Sequence, residues 1–452
     1  MINRHKHLFQ KVGIDKAIGY TILSRVLQAG GGVLAILFIS KYLNDTEQGY
    51  YYTFGSLIAI QLFFELGFTQ VITQFVAHEA ARLDWKNDQF SQSDIASSRL
   101  SSLLHFAIKW FVIMSVLLAV VLMLTGYFFF SKFHSESLNI NWWYPFVILS
   151  IATGGTLLST PLLAFLEGLG KVKEVAIIRF YQQAGYLLLL FTFFVSGFKL
   201  YSAPIAQLIN FILPLFFILF SNNFNLLQNI FKQKGKYKVD YLKEIFPFQW
   251  RIAISWMSGF FIFQLFNPVL FANDGPVVAG QMGMTLSVLN GVMALSYTWF
   301  NTKSPAFSTL IAREQYVELD IIFKRTMKQA VLVCFLCLLF FILSIAFLQF
   351  FSFKLGTRFL TLPALVLVCI ATLGNQISYG MATYLRCHKR EPLMLQTVTM
   401  AGLMVLFLLI LGRLYGVIGI AGSYCFLTTI IGVFWTYYTF QAKRVQWHFI
   451  KN

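Results

Sequence analysis

Apolar runs separated by short polar turns fill this chain from residue 17 to residue 439. The pattern predicts twelve helices: 17–40, 49–76, 103–130, 143–166, 175–196, 203–220, 245–272, 277–300, 329–351, 360–385, 393–411 and 417–439. At about 1.5 Å rise per residue, each has a length suited to crossing a hydrocarbon layer of about 30 Å. Lipid offers no partner for backbone N–H and C=O groups, so runs of this length are read as helices that satisfy their own backbones.

Five charged side chains interrupt the runs: Arg25, Lys109, Arg179, Arg251 and Glu65. An ionised carboxylate in hydrocarbon costs several kcal/mol, so Glu65 has to be paired, neutralised or turned toward water, and such residues mark functional sites by default. Gln61, Thr69 and Thr73 share its helical stripe at four-residue spacing, which points the stripe at a cavity or a neighbouring helix. The turn 41–48 folds the first two spans into an antiparallel hairpin. Arg25 lies about 12 Å into its helix and Glu65 about 17 Å from the end of the next, so the two reach similar depth and pairing is allowed. A static ion pair that holds the two spans together is the competing structural reading. All four basic residues lie toward the same ends of their helices, where an anion would be captured. The competing reading for all four is a side chain that reaches back to the headgroups. Lys109 and Arg179 are close to their helix starts, which favours that reading for these two. Arg251 lies about 9 Å from its helix start, and for Arg25 and Arg251 depth and repeat correspondence weigh equally against it.

Composition agrees with a membrane protein: 58% of the 452 residues are hydrophobic and 12% charged, with a mean hydropathy of +0.68. A net charge of +17 raises the question of nucleic acid, but its placement answers it. Of the 35 Lys and Arg residues, 25 fall on the side of the termini, 6 in the opposite loops and 4 within spans. The positive-inside rule then predicts both termini in the cytoplasm, and nucleic acid is not an expected partner. Basic loops such as 232–243 are placed to meet anionic membrane lipids. Neither a phosphate-cradling G-x-x-x-x-G-K-[ST] nor a metal-spaced cluster occurs, so no catalytic residue, metal or cofactor is expected. The five cysteines, including the C-x-x-C at Cys334 and Cys337, read as small core residues without disulfides. Asp45 and Glu47 could suggest a membrane glycosyltransferase, but their loop is too short for a sugar-nucleotide or lipid-sugar site, and the lack of large outer loops argues against a polysaccharide polymerase.

The polar, lysine-rich stretch near 221–244 divides the spans six and six. The predicted organisation is an N-terminal lobe 1–225, a cytoplasmic linker 226–244 and a C-terminal lobe 245–452. Landmarks recur in order across the halves: Arg25 and Arg251, Ala-His-Glu at 77–79 and Ala-Arg-Glu at 312–314, Lys-Glu at 173–174 and Arg-Glu at 390–391, Lys-Leu-Tyr at 199–201 and Arg-Leu-Tyr at 413–415. Order and sidedness are both kept, as two parallel repeats related by an axis along the membrane normal would require. Such architectures bind substrate between the halves and rock one half against the other.

The stretches LNDTEQGYYYTFGS at 43–56, FFELG at 63–67 and QWRIA at 249–253 resemble the bacterial polysaccharide flippases of the multidrug/oligosaccharidyl-lipid/polysaccharide exporter superfamily. The resemblance implies an all-α protein with twelve transmembrane helices in two six-helix halves around a central cavity. It also implies a multi-pass place in the bacterial cytoplasmic (inner) membrane. The expected cargo is an undecaprenyl-diphosphate-linked oligosaccharide, an O-antigen or capsule unit, moved to the periplasmic face, with polysaccharide assembly proteins as partners. Arg25, Arg251, Arg179 and Lys109 are then candidates for holding the diphosphate, since guanidinium and ammonium groups bind phosphate oxygens strongly at low dielectric. Glu65 and Gln61 are candidates for coupling or gating. The alternative within transport, a drug or cation exporter of the same superfamily, calls for carboxylates along the path, and only one is present in the spans.

Overall fold

A computed structural model describes residues 16–80, 85–86, 89–90, 94–133, 140–233, 237–388 and 390–448; the side chains of residues 16–19, 21–22, 25–26, 29, 85–86, 89–90, 94, 248 and 251 lie outside that description. Among the described residues ten helices are long and apolar enough to span a membrane, and Gly30–Tyr42 is a shorter apolar helix. The last of the ten, Met394–His448, holds two expected spans in one run, with a break at Gly416 (φ 56°, ψ −139°). The twelve expected spans are thus accounted for, and the protein is an all-α, polytopic membrane protein in two halves. A minimal hairpin pairs Trp85–Lys86 with Gln89–Phe90.

Lipid explains the outer faces. On the Tyr316–Phe350 helix, Leu332, Phe335, Leu336, Leu339, Phe340, Leu343 and Phe347 are exposed at three- and four-residue spacing, while Ala330, Cys334, Leu338, Phe341 and Ile345 are buried. An apolar stripe of that size is stable against hydrocarbon and would not be against water.

The second span is not one continuous helix, contrary to the expectation for 49–76. Asp45–Ile58 is followed by a 3₁₀ turn at Ala59–Gln61, a single helical turn at Leu62–Glu65, and a new helix at Phe68–Ala80. Between the last two, Leu66 (φ 49°) and Gly67 (φ 64°) are left-handed. A Cβ on Gly67 would stand 2.4 Å from Ile252 Cγ2, so glycine is required both by the backbone and by the packing.

Two compact units emerge, Met1–Gly31 with Leu57–Trp256 and Gly32–Ser56 with Met257–Asn452. The first is built on Phe68, Val76, Leu100, Phe111, Leu157 and Phe165, with Ile230 and Ile245 in the same core. In the second, Phe300, Phe307, Phe323, Tyr384 and Phe440 form one cluster. Where lipid tails weaken the hydrophobic drive between helices, small residues that admit close backbone approach take over. Gly49 and Gly280 do so here: a Cβ on Gly49 would lie 1.9 Å from Pro276 O, and one on Gly280 2.8 Å from Gly49 N.

The turn into Asp45–Ile58 is a capping box. Asn44 Oδ1 accepts from the Glu47 amide at 2.7 Å and Glu47 Oε2 accepts from the Asn44 amide at 2.9 Å. Arg358, expected only as one of six cations in the outer loops, is instead buried against this turn. Its guanidinium donates to Leu43 O at 2.7 Å, Gln48 Oε1 at 3.2 Å and Ser40 O at 3.3 Å, and pairs with Asp45 Oδ1 at 2.9 Å.

Candidate functional site

Glu65 sits at the break in the second span. It ends the turn Leu62–Glu65, is half-buried, and accepts a hydrogen bond from Thr69 Oγ1 across the left-handed pair. Thr73 Oγ1 donates onward to Thr69 O at 3.1 Å and Ala164 O at 3.2 Å. Hydrogen bonds thus run along the four-residue spacing from Glu65 through Thr69 to Thr73. Gln61, in the 3₁₀ turn, is half-buried and has no hydrogen-bond partner among the described residues.

The four intramembrane cations are not alike. Arg25 and Arg251 lie on helices, but their side chains are outside the described residues, so the anticipated Arg25–Glu65 pair falls outside them too. Lys109 is exposed on the Asp94–Phe133 helix. Arg179 donates to Glu167 Oε2 at 2.8 Å, which compensates its charge within the first unit.

At one end of the first unit, Arg99 Nε meets the buried Glu79 at 2.8 Å and its Nη2 meets Glu244 at 2.5 Å. The Arg99 guanidinium holds the Glu244 carboxyl below the usual carboxylate range, against the opposing effect of burial.

The second unit contains a cavity of about 420 Å³, within the roughly 300–1,000 Å³ of small-molecule sites. Among the described residues no charged side chain lines it. Five stretches supply its polar groups: Tyr52 and Ser56; Gln264 and Asn267; Ser287 and Asn290; Thr372, Asn375 and Tyr379; and Tyr424 from the Met394–Cys425 helix. Asn267 Nδ2 donates to Ser56 Oγ at 3.0 Å, and Asn375 Nδ2 donates to Tyr424 Oη at 2.7 Å. Tyr424 in turn packs on Phe266, ring centroids 4.9 Å apart. The Asn267 carboxamide oxygen is buried without a partner. None of these residues was a candidate site residue in the sequence, although Tyr52 and Ser56 lie in the 43–56 stretch that carries the resemblance. Their spacing was the available signal, since Gly283, Ser287 and Asn290, and likewise Thr372, Asn375 and Tyr379, recur at three or four residues on one helical face.

No family model matches the chain, and no curated protein does. Solved structures do. An inward-facing multidrug resistance MATE family transporter of the MOP superfamily aligns with a TM-score of 0.61 at 13% identity, over 90% of this chain and 98% of that one. The lipid II flippase MurJ, in an inward closed conformation, gives 0.57 at 15% identity over 96% and 89%. A MOP superfamily transporter from Pyrococcus furiosus, whose binding pocket is described as having reverse polarity, gives 0.54 at 14% over 94% and 95%. The fold is that of MOP superfamily transporters. Drug exporters and a lipid-linked flippase share it, so the fold by itself does not choose between those cargoes.

Proposed function

We propose that this protein is a flippase that carries an undecaprenyl-diphosphate-linked oligosaccharide, such as an O-antigen or capsule unit, from the cytoplasmic to the periplasmic face of the inner membrane by alternating access. The observation that carries this reading is the sign of the charge within the expected spans: Arg25, Lys109, Arg179 and Arg251 lie in them with Glu65 as the one acid, and Arg179 is the cation met by Glu167 just beyond a span. A diphosphate needs cations along its path, and a cationic drug needs carboxylates. Arg251 and Arg25 are assigned the diphosphate, with Lys109 and Arg179 assisting at the entrance, and Glu65 with Gln61 the coupling or gating step. Both termini are assigned to the cytoplasm.

The test is complementation of a strain lacking its own flippase for one surface glycan. Arg251→Ala and Arg251→Glu are expected to lower surface glycan about tenfold or more at unchanged membrane abundance, the loss of one charge-assisted contact. Normal glycan in both variants would remove Arg251 from the path. The multidrug neighbour favours a second reading, drug export. Resistance to cationic dyes that depends on Glu65, with no effect of the chain on surface glycan, would establish that reading instead.

A further inference from the structure

Resting on the reading of this chain as a carrier of lipid-linked glycans, we propose that the cavity of the second unit is a carbohydrate subsite, one that takes an uncharged sugar ring of the head group and excludes the diphosphate. Its lining argues this by what it contains and by what it lacks. A buried ion is stable only beside a counter-charge, and among the described residues no charged side chain lines the cavity, so neither a phosphate nor a drug cation finds a partner among them. A purely hydrophobic guest is excluded by the opposite mismatch, because it would bury the amides and hydroxyls unpaired.

Primary amides carry donors and acceptors together, as sugar hydroxyls do, which makes Gln264, Asn267, Asn290 and Asn375 chemically matched to a polyhydroxylated ring. Two of the four are already oriented. Asn375 is fixed by its bond to Tyr424 Oη at 2.7 Å, and Asn267 by Ser56 Oγ at 3.0 Å, which leaves the Asn267 carboxamide oxygen buried and without a partner. A native structure seldom leaves such an atom unsatisfied, and a ligand hydroxyl or ordered water completes it. The side-chain amides of Gln264 and Asn290 have no hydrogen-bond partner among the described residues and are free to meet a guest. Tyr379, Tyr424 and Phe263 add aromatic surface for the apolar C–H edges of a pyranose.

The experiment uses the full chain in nanodiscs and three synthetic probes with the same short prenyl diphosphate: one bare, one bearing a neutral disaccharide and one bearing a disaccharide with a uronic acid. The neutral probe is run as a panel with glucose, galactose or N-acetylglucosamine at the outer position. At least one neutral probe is expected to bind about tenfold or more tightly than the bare one, and the uronic acid to lose most of that advantage. Asn290→Leu and Gln264→Leu keep side-chain volume and break no protein hydrogen bond, and each is expected to reduce the neutral sugar's advantage to threefold or less. Binding of the bare probe to the same preparation shows that each variant is folded. Equal binding of bare and sugar-bearing probes by the parent protein would overturn the subsite and leave the flippase reading intact, as would variants that weaken all probes alike. If no prenyl diphosphate binds the parent protein, the flippase reading falls and the subsite with it.

Discussion

Leu66 is the most strained residue on the path of the second span. A side chain in the left-handed region costs about 1–2 kcal/mol, and the position persists because Gly67 beside it packs directly on Ile252. Gly67→Ala adds a Cβ where the nearest atom is 2.4 Å away, so it is expected to destabilise the protein in detergent by about 1–3 kcal/mol. Leu66→Gly removes the strain and gains unfolded-chain entropy, two opposed effects that leave it within about 1 kcal/mol of the parent. Thermal unfolding that is lowered equally by both substitutions would show that this packing does not hold the break. Glu65 was legible in the sequence because a lone acid among apolar neighbours is conspicuous. The Thr69 donor followed from its spacing, but the unwinding around it did not, since nothing local in FFELG forbids a helix and the decisive contact comes from Ile252, far along the chain. Cavity residues such as Asn267 and Asn290 escaped for another reason: each is neutral and single in an apolar run, so hydropathy averages over it.

Among the elements, the turn between the first two spans and the loop at Gly356–Arg358 depend on each other. Arg358, 3% exposed, satisfies acceptors on Ser40, Leu43 and Gln48 and pairs with Asp45. Removing one partner of such a group is strongly destabilising, on the order of 3–5 kcal/mol, so Arg358→Ala is expected to deplete folded protein from the membrane. Lysine is a point charge that lacks the planar fork, so Arg358→Lys should recover little of the loss; full recovery, read as abundance after mild detergent extraction, would show that charge alone suffices. Nothing in the sequence distinguishes this arginine from the other outer-loop cations, because its burial is a product of the tertiary fold.

A second junction ties the end of the last helix to the end of Leu362–Cys387. Tyr384 O can only accept, so His388 Nδ1 donates to it at 3.0 Å, and the neutral ring then presents Nε2 as an acceptor to His448 Nε2 at 2.9 Å. Burial, with Arg390 adding to it, holds His388 below the usual imidazole range. The unfolded chain therefore takes up this proton near pH 6.5 while the folded one resists it. Stability from this group is complete at neutral pH and declines as pH falls below about 6.5. His388→Gln keeps an acceptor but cannot titrate, and is expected to lessen the melting curve's dependence on pH between 7.5 and 5.5, with the partner ring of His448 left to titrate. An unchanged pH dependence in that variant would clear His388 of the effect.

For the molecule as a whole, hydropathy revealed the twelve spans because lipid imposes a composition on every residue that faces it. The division into compact units was less accessible, since residues 32–56 group with residues 257–452. Sidedness is open to direct measurement. In a cysteine-free background, Lys354→Cys is expected to react with an impermeant maleimide in intact cells and Lys238→Cys only after permeabilisation; the reverse pattern would invert the topology. The grouping of residues 32–56 with the far end of the chain also bears on how the protein is made. This stretch, with Tyr52 and Ser56 of the cavity wall, leaves the ribosome early, yet its hydrogen-bond partners Asn267 and Arg358 follow it by 211 to 318 residues. At about 5–20 residues per second these residues wait tens of seconds in the bilayer before Arg358 is made, and the turn that it anchors can close only then.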